Sequence, residues 1–223
     1  MYRYILFDLD GTLTDPGLGI TNAVMHALLK YGIMVEDRSL LYPFIGPPLK
    51  DSFMERYGFS EEKAMEAIDY YREYFSVKGL YENAVYEGIT EMLERLKNAG
   101  FKILLATSKP EVFARTIMEH FNLDGYFDFI GGALMNETRT YKWEVIDYVL
   151  SEMHVDDLSE VLMVGDRDQD VLGARKVGID CMGVLYGYGD YEYLSMAGAK
   201  YFAKKPSDVC DLIMKINGGP YAN

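Results

Sequence analysis

Two aspartates lie two residues apart near the start of the chain, in the segment Asp8-Leu9-Asp10-Gly11. If this segment is extended, the Asp8 and Asp10 side chains project to the same side of the backbone. Carboxylates in such close reach repel each other unless a cation lies between them, and Mg²⁺ prefers hard oxygen ligands of this kind. The pair therefore indicates a magnesium site, while Asp-Gly is also a common signal for an ordinary turn.

A second acidic pair follows the apolar residues 161–164. Asp166 follows this run after Gly165, and Asp170 comes one helical turn later, so both carboxylates can face one site. Asp168 points elsewhere on such a helix and is interpreted as a solvated or capping residue. Capping of the helix and interaction with its dipole would explain Asp166 alone, but not the whole acidic cluster.

Hydroxyl and amino groups occur at two further junctions. Thr107 and Ser108 follow the apolar residues 102–106, where hydroxyls and backbone N–H groups can bind an anion. Lys142 stands at the predicted start of a helix. Taken singly, Thr107 would also suit a helix N-cap and Lys142 a solvated surface charge. The placement of all these groups, rather than any one of them, predicts a site for a phosphorylated ligand.

The elements that must position these residues alternate between strands and helices. Apolar runs rich in β-forming residues predict strands at 4–7, 102–106, 126–130, 161–164, 181–185 and, at the sheet edge, 201–203. Helical spacing of apolar residues predicts helices at 88–99, 110–121, 142–153 and 168–177. This alternation predicts an α/β fold with a doubly wound, Rossmann-like parallel sheet, in which ligands bind outside the carboxyl ends of the strands.

Residues 16–82 interrupt the alternation and show only helical patterns, at 19–31, 47–56 and 60–76. We therefore predict an α/β core domain formed by residues 1–15 and 83–223. The helical residues 16–82 are predicted to form a second domain, inserted after the first strand.

Composition limits the classes of partner and compartment. The 223 residues carry a formal net charge of −13, which disfavours nucleic acid and anionic membrane as partners but permits a small anionic substrate beside a metal ion. The two cysteines, Cys181 and Cys210, lie in apolar surroundings and are interpreted as reduced thiols. No apolar stretch reaches the length of a signal segment or a membrane span, so a cytoplasmic protein is expected.

The order of these motifs resembles the haloacid dehalogenase superfamily, in particular its phosphatases of the phosphoglycolate phosphatase and 5′-nucleotidase type. The resemblance extends over essentially the whole chain. It rests on four segments in the family's order, namely Asp8-x-Asp10-Gly11-Thr12, Thr107, Lys142 and Gly165-Asp166-x-x-x-Asp170.

The resemblance implies a mechanism. Asp8 would attack phosphorus and become an aspartyl phosphate, and Asp10 would act as general acid and base. Mg²⁺ would be held by Asp8, by Asp10 through its backbone carbonyl, by Asp166 and, less directly, by Asp170. Thr107, the Ser108 N–H and Lys142 would bind the phosphoryl oxygens. Asp10 argues against a dehalogenase, because the dehalogenases of this family release no alcohol and therefore need no acid to protonate one.

In this family an insertion between the first two motifs is a cap that closes over the site, and residues 16–82 occupy that place. Gly46 and Lys50 lie in a segment that resembles the substrate-reaching loop of such caps, although a plain loop with Lys50 in solvent would look the same. Arg72 is a candidate for contact with a substrate anion, or equally for a surface ion pair. The aromatic residues around it favour core packing.

The expected substrate is a small phosphorylated metabolite, either a nucleoside monophosphate or a phosphoglycolate-like acid. A phosphomutase of the β-phosphoglucomutase type shares every motif, and an inorganic pyrophosphatase is a further alternative. A binding protein with a relic site is disfavoured by the intact aspartates. Either a monomer or a homodimer is compatible with the sequence.

Overall fold

Six parallel strands form the central sheet in a computed structural model, which describes residues 1–136 and 138–218. The strand order is β5-β4-β1-β6-β7-β8. These strands are β1 (Tyr4–Phe7), β4 (Lys102–Pro110), β5 (Phe129–Ala133), β6 (Val161–Gly165), β7 (Asp180–Val184) and β8 (Tyr201–Ala203). Two short strands, β2 (Thr14–Asp15) and β3 (Ala84–Val85), pair in a separate two-stranded sheet.

Helices connect successive strands and cover both faces of the sheet. They are α4 (Ile89–Asn98), α5 (Glu111–His120), α6 (Lys142–Glu152), α7 (Asp168–Val177), α8 (Tyr191–Ala197) and α9 (Pro206–Ile216). Helix α7 contacts both α6 and α8, and α4 contacts α9. The predicted doubly wound α/β fold is confirmed.

The central strands are apolar on both faces because helices cover both faces. Ile5, Leu6 and Phe7 of β1 have no exposed surface, and β6 is buried along its whole length. Burial of each such side chain contributes about 1.5–3 kcal/mol to the free energy of folding. The candidate site residues Asp8 and Asp166 directly follow these buried strands.

The register of the central strands brings their carboxyl ends together. Phe7, the last residue of β1, is paired with Leu105 on one side and with Val164 on the other. The next residue, Asp8, donates its N–H to the Val164 carbonyl at 3.0 Å. The segments after β1 and β6 and the end of β4 consequently meet at one edge of the sheet.

One predicted strand is displaced along the chain. The pattern predicts a strand at 126–130, whereas β5 comprises Phe129–Ala133 and a short 3₁₀ helix covers Asp124–Tyr126. The Asp128 carboxylate accepts hydrogen bonds from the Ile103 N–H and the Lys102 ammonium, which places Asp128 at the start of the sheet rather than within a strand. Gly131 and Gly132, which follow the predicted strand, are part of β5 and pair with Ala106 and Thr107 of β4.

Residues Asp15–Ala84 form a separate compact unit, and the remaining residues form the other. The smaller unit contains α1 (Gly17–Leu29), a 3₁₀ helix (Arg38–Phe44), α2 (Leu49–Tyr57), α3 (Glu61–Tyr74) and a π-helical turn (Phe75–Gly79). Its core includes the stacked or edge-on rings of Phe44, Phe53 and Phe59. That this unit is a cap over the site remains a prediction. Within the described residues, no helix is sufficiently long and apolar to span a membrane.

Candidate active site

Asp8 and Lys142 form a buried ion pair at the carboxyl edge of the sheet. The Lys142 ammonium lies 2.7 Å from Oδ1 of Asp8 and 2.8 Å from Oδ1 of Asp170, and it donates to the Ala106 carbonyl at 3.0 Å. Burial alone would lower the pKa of Lys142, but the Asp170 and Asp8 carboxylates outweigh burial and raise it. Lys142 is therefore a fixed positive charge beside Asp8.

Three buried aspartates, Asp8, Asp166 and Asp170, place carboxylate oxygens within 4.8 Å of one another. The Thr12 hydroxyl (3.3 Å) and the Tyr188 N–H (2.8 Å) donate to Asp166. Burial and the neighbouring carboxylates Asp170 and Asp8 raise the pKa of Asp166 well above its ordinary value. Burial also raises the pKa of Asp170, to about 6, against the opposing effect of Lys142.

This donor set fits a hard divalent cation such as Mg²⁺. The Lys142 ammonium contacts two of the three carboxylates, those of Asp8 and Asp170, so the cluster keeps an excess of negative charge when all three are ionised. All three donors are oxygens, which Mg²⁺ prefers. Gly11 has φ +81°, and a Cβ at this position would overlap the Asp166 carboxylate. The first motif thus needs glycine for both its backbone conformation and its approach to the cluster.

Replacing Asp166 with asparagine is expected to stabilise the metal-free protein while removing its response to Mg²⁺. The metal-free fold binds the protons of the Asp166 and Asp170 carboxyls more tightly than the unfolded chain does, so its stability falls as pH rises from about 4 toward their raised pKa values. A neutral amide at position 166 removes the repulsion between this carboxylate and those of Asp170 and Asp8. Each kcal/mol gained in the free energy of unfolding raises Tm by about 2–4 °C in a chain of this size. Thermal unfolding at pH 7.5, with and without Mg²⁺, tests this. A variant that is less stable than the wild type without metal, or as responsive to Mg²⁺, would contradict it.

Asp10 pairs with a lysine that the sequence patterns did not single out. The Lys109 ammonium donates to Oδ2 of Asp10 at 2.7 Å, and both side chains are buried. Burial raises the pKa of the Asp10 carboxyl, although Lys109 acts in the opposite direction. Asp10 does not contribute a side-chain ligand to the three-carboxylate cluster. Its carboxyl is thus separated from the metal-type ligands and held by its own cation.

A local irregularity of β4 presents Lys109 to the site. Thr107 pairs with Gly132 and Pro110 pairs with Ala133, so two residues of β4 between these pairs have no counterpart in β5. Such a bulge redirects side chains at a strand end. The Thr107 hydroxyl accepts the Lys109 N–H at 3.2 Å, which closes the turn. Thr107 is buried and Ser108 is half-buried at the same edge.

Replacing Lys109 with methionine is expected to lower kcat by about 10²-fold, the low end of what general acid–base catalysis supplies. Methionine fills the space but leaves the Asp10 carboxyl buried without its cation, which further disfavours the ionised form that a base requires. Lys102→Met is the matched control, because Lys102 is on the same strand and pairs with Asp128 at 2.6 Å in a more exposed place. Steady-state phosphate release measures both variants. Equal rates for the two would show that Lys109 has no special role.

Comparison with known proteins assigns a family to this arrangement. A family model described as "Haloacid dehalogenase-like hydrolase" matches residues 5–184. The chain belongs to the haloacid dehalogenase-like hydrolase family. The 5′-nucleotidase of Pseudomonas aeruginosa is 50% identical over 86% of this chain and 87% of its own length. A crystal structure of a predicted phosphatase from Clostridium acetobutylicum has a TM-score of 0.94 and 48% identity, covering 96% of this chain and 99% of that one.

A further relative carries a different name. The tyrosine-protein kinase PtkA of Mycobacterium tuberculosis is 38% identical over 86% of this chain, which spans 65% of the length of that kinase. The predicted family and the predicted enzyme class, a phosphatase of the haloacid dehalogenase type, are confirmed. The roles of individual residues in this family member remain proposals.

The structure brings most of the predicted site residues of this haloacid dehalogenase-like protein to one edge of the core unit. These residues are Asp8, Asp10, Thr107, Ser108, Lys142, Asp166 and Asp170. The remaining candidates belong to the smaller unit. Gly46 has φ +104°, in the left-handed region, and follows the 3₁₀ helix Arg38–Phe44. Lys50 forms an ion pair with Glu61 at 3.1 Å, and Arg72 lies 4.0 Å from Asp69.

A second group that sequence reasoning missed is the segment after β7. The Tyr186 hydroxyl donates to the Thr12 carbonyl at 3.1 Å, and the Tyr188 N–H donates to Asp166. A Cβ at Gly187 would overlap the Gly11 carbonyl and the Asp166 side chain. The spaced glycines around Tyr188 were the available signal, since glycine marks a close approach of two backbones. This segment therefore holds Asp166, whereas Lys142 contacts the other two aspartates of the cluster, Asp8 and Asp170.

Proposed function

We propose that this protein is a Mg²⁺-dependent phosphomonoester hydrolase that transfers the phosphoryl group to Asp8 before releasing it to water. The arrangement of charged groups around Asp8 is the main support for this proposal. Asp8 contacts the Lys142 ammonium and lies within 4.8 Å of the carboxylate oxygens of Asp166 and Asp170, on the same sheet edge as Asp10, which is held separately by Lys109. A nucleophile, its neutralising charge and an independent acid are thereby within one site.

The chemistry follows from these placements. A carboxylate oxygen of Asp8 forms a bond to phosphorus as the ester P–O bond breaks, and Asp10 gives its proton to the departing alcohol. Asp10 then accepts a proton from water, whose oxygen displaces Asp8 from phosphorus and yields inorganic phosphate. The raised pKa of Asp10 suits the first of these roles, and its pairing with Lys109 suits the second.

The remaining groups bind and neutralise charge. Thr107, the Ser108 N–H and Lys142 are assigned to the phosphoryl oxygens, where donors stabilise the transition state. Mg²⁺ would be held by the carboxylates of Asp8, Asp166 and Asp170 and by the Asp10 carbonyl, and it would neutralise the cluster so that an anionic ester can approach.

A nucleoside 5′-monophosphate is the substrate we propose first, and a phosphoglycolate-like acid second. The order follows the 50% identity to a protein named 5′-nucleotidase. We further propose that residues 16–82 act as the cap and that Gly46 and Lys50 contact the organic part of the substrate. The cytoplasm is the proposed compartment, because Cys181 and Cys210 are free, buried thiols.

A phosphate-release screen over nucleoside monophosphates, phosphoglycolate, hexose phosphates, phosphotyrosine and pyrophosphate tests the proposal. With Mg²⁺ we expect release from monoesters, highest for a nucleotide, and none after EDTA. Isomerisation of a hexose 1-phosphate without phosphate release would identify a phosphomutase. Cleavage of pyrophosphate alone would identify a pyrophosphatase. Phosphate release that persists in EDTA would show that the reaction does not require Mg²⁺.

A further inference from the structure

Arg139 lies three residues before Lys142 and contacts three elements of the core unit. Its Nε donates to the Gly132 carbonyl of β5 at 2.9 Å, and its guanidinium pairs with the Glu111 carboxylate at 3.2 Å. The guanidinium also lies 3.6 Å from the ring centroid of Tyr148 on α6, a cation–π contact. Only 18% of the side chain is exposed, so this is not a solvated surface arginine.

Glu111 is the first residue of α5, directly after the bulged end of β4 that carries Thr107, Ser108 and Lys109. Its Oε2 accepts the Gly132 N–H at 3.3 Å and Arg139 at 3.2 Å. Its Oε1 accepts Arg115 of the same helix at 2.9 Å. One carboxylate therefore joins the phosphate-binding end of β4 to the segment that leads into Lys142.

The backbone between these segments is closely packed. A Cβ at Gly132 would lie 2.7 Å from both the Lys109 carbonyl and the Glu111 Cα. After Arg139, the Glu144 carboxylate accepts the N–H groups of Thr140 and Tyr141, which fixes the first turn of α6. Displacement of Arg139 would thus be transmitted to Lys142 on one side and to residues 107–109 on the other.

We propose that Arg139 and Glu111 are positioning residues for the phosphoryl-binding groups. Their ion pair sets the separation between the Thr107–Lys109 segment and Lys142, which must contact the same phosphoryl group. The inference rests on the proposed function. Neither residue touches the substrate in this account. Misplacement of catalytic groups by about 1 Å can lower a rate by about 10²-fold, so a loosened pair has a kinetic effect.

Arg139→Met tests the role, with Arg115→Met as the matched control. Both substitutions remove one arginine from the same Glu111 carboxylate, but Arg115 is on α5 itself and donates to the Ile130 carbonyl, whereas Arg139 belongs to the segment before Lys142. For the most active monoester, with saturating Mg²⁺ and well below both melting temperatures, we expect Arg139→Met to lower kcat by about 10- to 100-fold. We expect KM to change little and Arg115→Met to leave kcat unchanged. Arg139→Lys should recover part of the loss, because lysine keeps the charge but not both planar hydrogen bonds.

Hydrogen–deuterium exchange without substrate provides a readout that does not depend on activity. We expect faster exchange at 107–111 and 139–144 in Arg139→Met, and wild-type exchange there in Arg115→Met. A wild-type kcat in Arg139→Met, or the same exchange in both variants, would overturn the positioning role. If the wild type released no phosphate from any monoester, the proposed function would fail, and the exchange comparison would still decide whether the pair holds the two segments.

Discussion

Asp8→Asn is expected to lower phosphate release by about 10⁴-fold or more, the scale seen when a nucleophile is removed from a covalent mechanism. Asparagine has nearly the same shape as aspartate, but its amide oxygen is a far weaker nucleophile. The substitution also removes one of the two carboxylates that contact Lys142. Steady-state release from the best substrate, with Mg²⁺ at saturation, measures the loss, and circular dichroism verifies that the fold is retained.

Asp168→Asn is the matched control for this experiment. Asp168 is the first residue of α7, two residues from both Asp166 and Asp170, yet it is not among the three aspartates that could hold a metal. The same change of charge in the same region should leave turnover nearly unaltered. Substantial activity in Asp8→Asn, or an equal loss in Asp168→Asn, would contradict the assignment of the nucleophile.

Lys142→Met is expected to lower both turnover and stability. Loss of one charged donor to the transition state costs about 10²–10³ in kcat. Removal of one partner from a buried ion pair costs about 3–5 kcal/mol, and here Asp8 and Asp170 both lose the ammonium that they contact. Mg²⁺ should restore part of the stability and little of the turnover. Urea unfolding with and without Mg²⁺, together with phosphate release, measures both effects.

Lys176→Met serves as the control for the lysine substitution. Lys176 lies on α7 with its ammonium 3.5 Å from the ring centroid of Trp143, the neighbour of Lys142 on α6. It is exposed and contacts no carboxylate of the acidic cluster among the described residues. A Lys142→Met protein with wild-type stability in the absence of Mg²⁺ would show that Lys142 does not balance the cluster.

The sequence predicts the parts of the site that depend on local order. Asp8 and Asp166 directly follow strands whose apolar runs are unambiguous, and the spacing of Asp166 and Asp170 at a helix start places both in one cluster. The ion pair of Asp10 with Lys109 joins residues that are 99 positions apart. This ion pair forms because β1 and β4 are adjacent in the sheet and because β4 has a bulge near its end. Neither feature can be predicted from a single sequence.

The start of β5 and the contacts of the segment after β7 also differ from, or are missing from, what the sequence pattern predicts. Residues 126–128 are as rich in β-forming side chains as β5 itself, so pattern alone could not place the start of that strand at Phe129. The contacts of Tyr186 and Tyr188 with the first motif and Asp166 depend on how β7 is placed beside β6. Gly46 and Lys50 belong to the smaller unit, Asp15–Ala84, and their contacts with a substrate stay predictions.

Trapping of the covalent intermediate shows which residue receives the phosphoryl group. A substrate with a ³²P-labelled phosphoryl group is mixed with the wild-type protein and Mg²⁺, quenched in acid within the first turnover, and digested for peptide mapping. We expect label on the peptide that contains Asp8, stable in acid and released by hydroxylamine, and no label in Asp8→Asn. Rapid turnover with no labelled protein, or label on a residue other than Asp8, would contradict it.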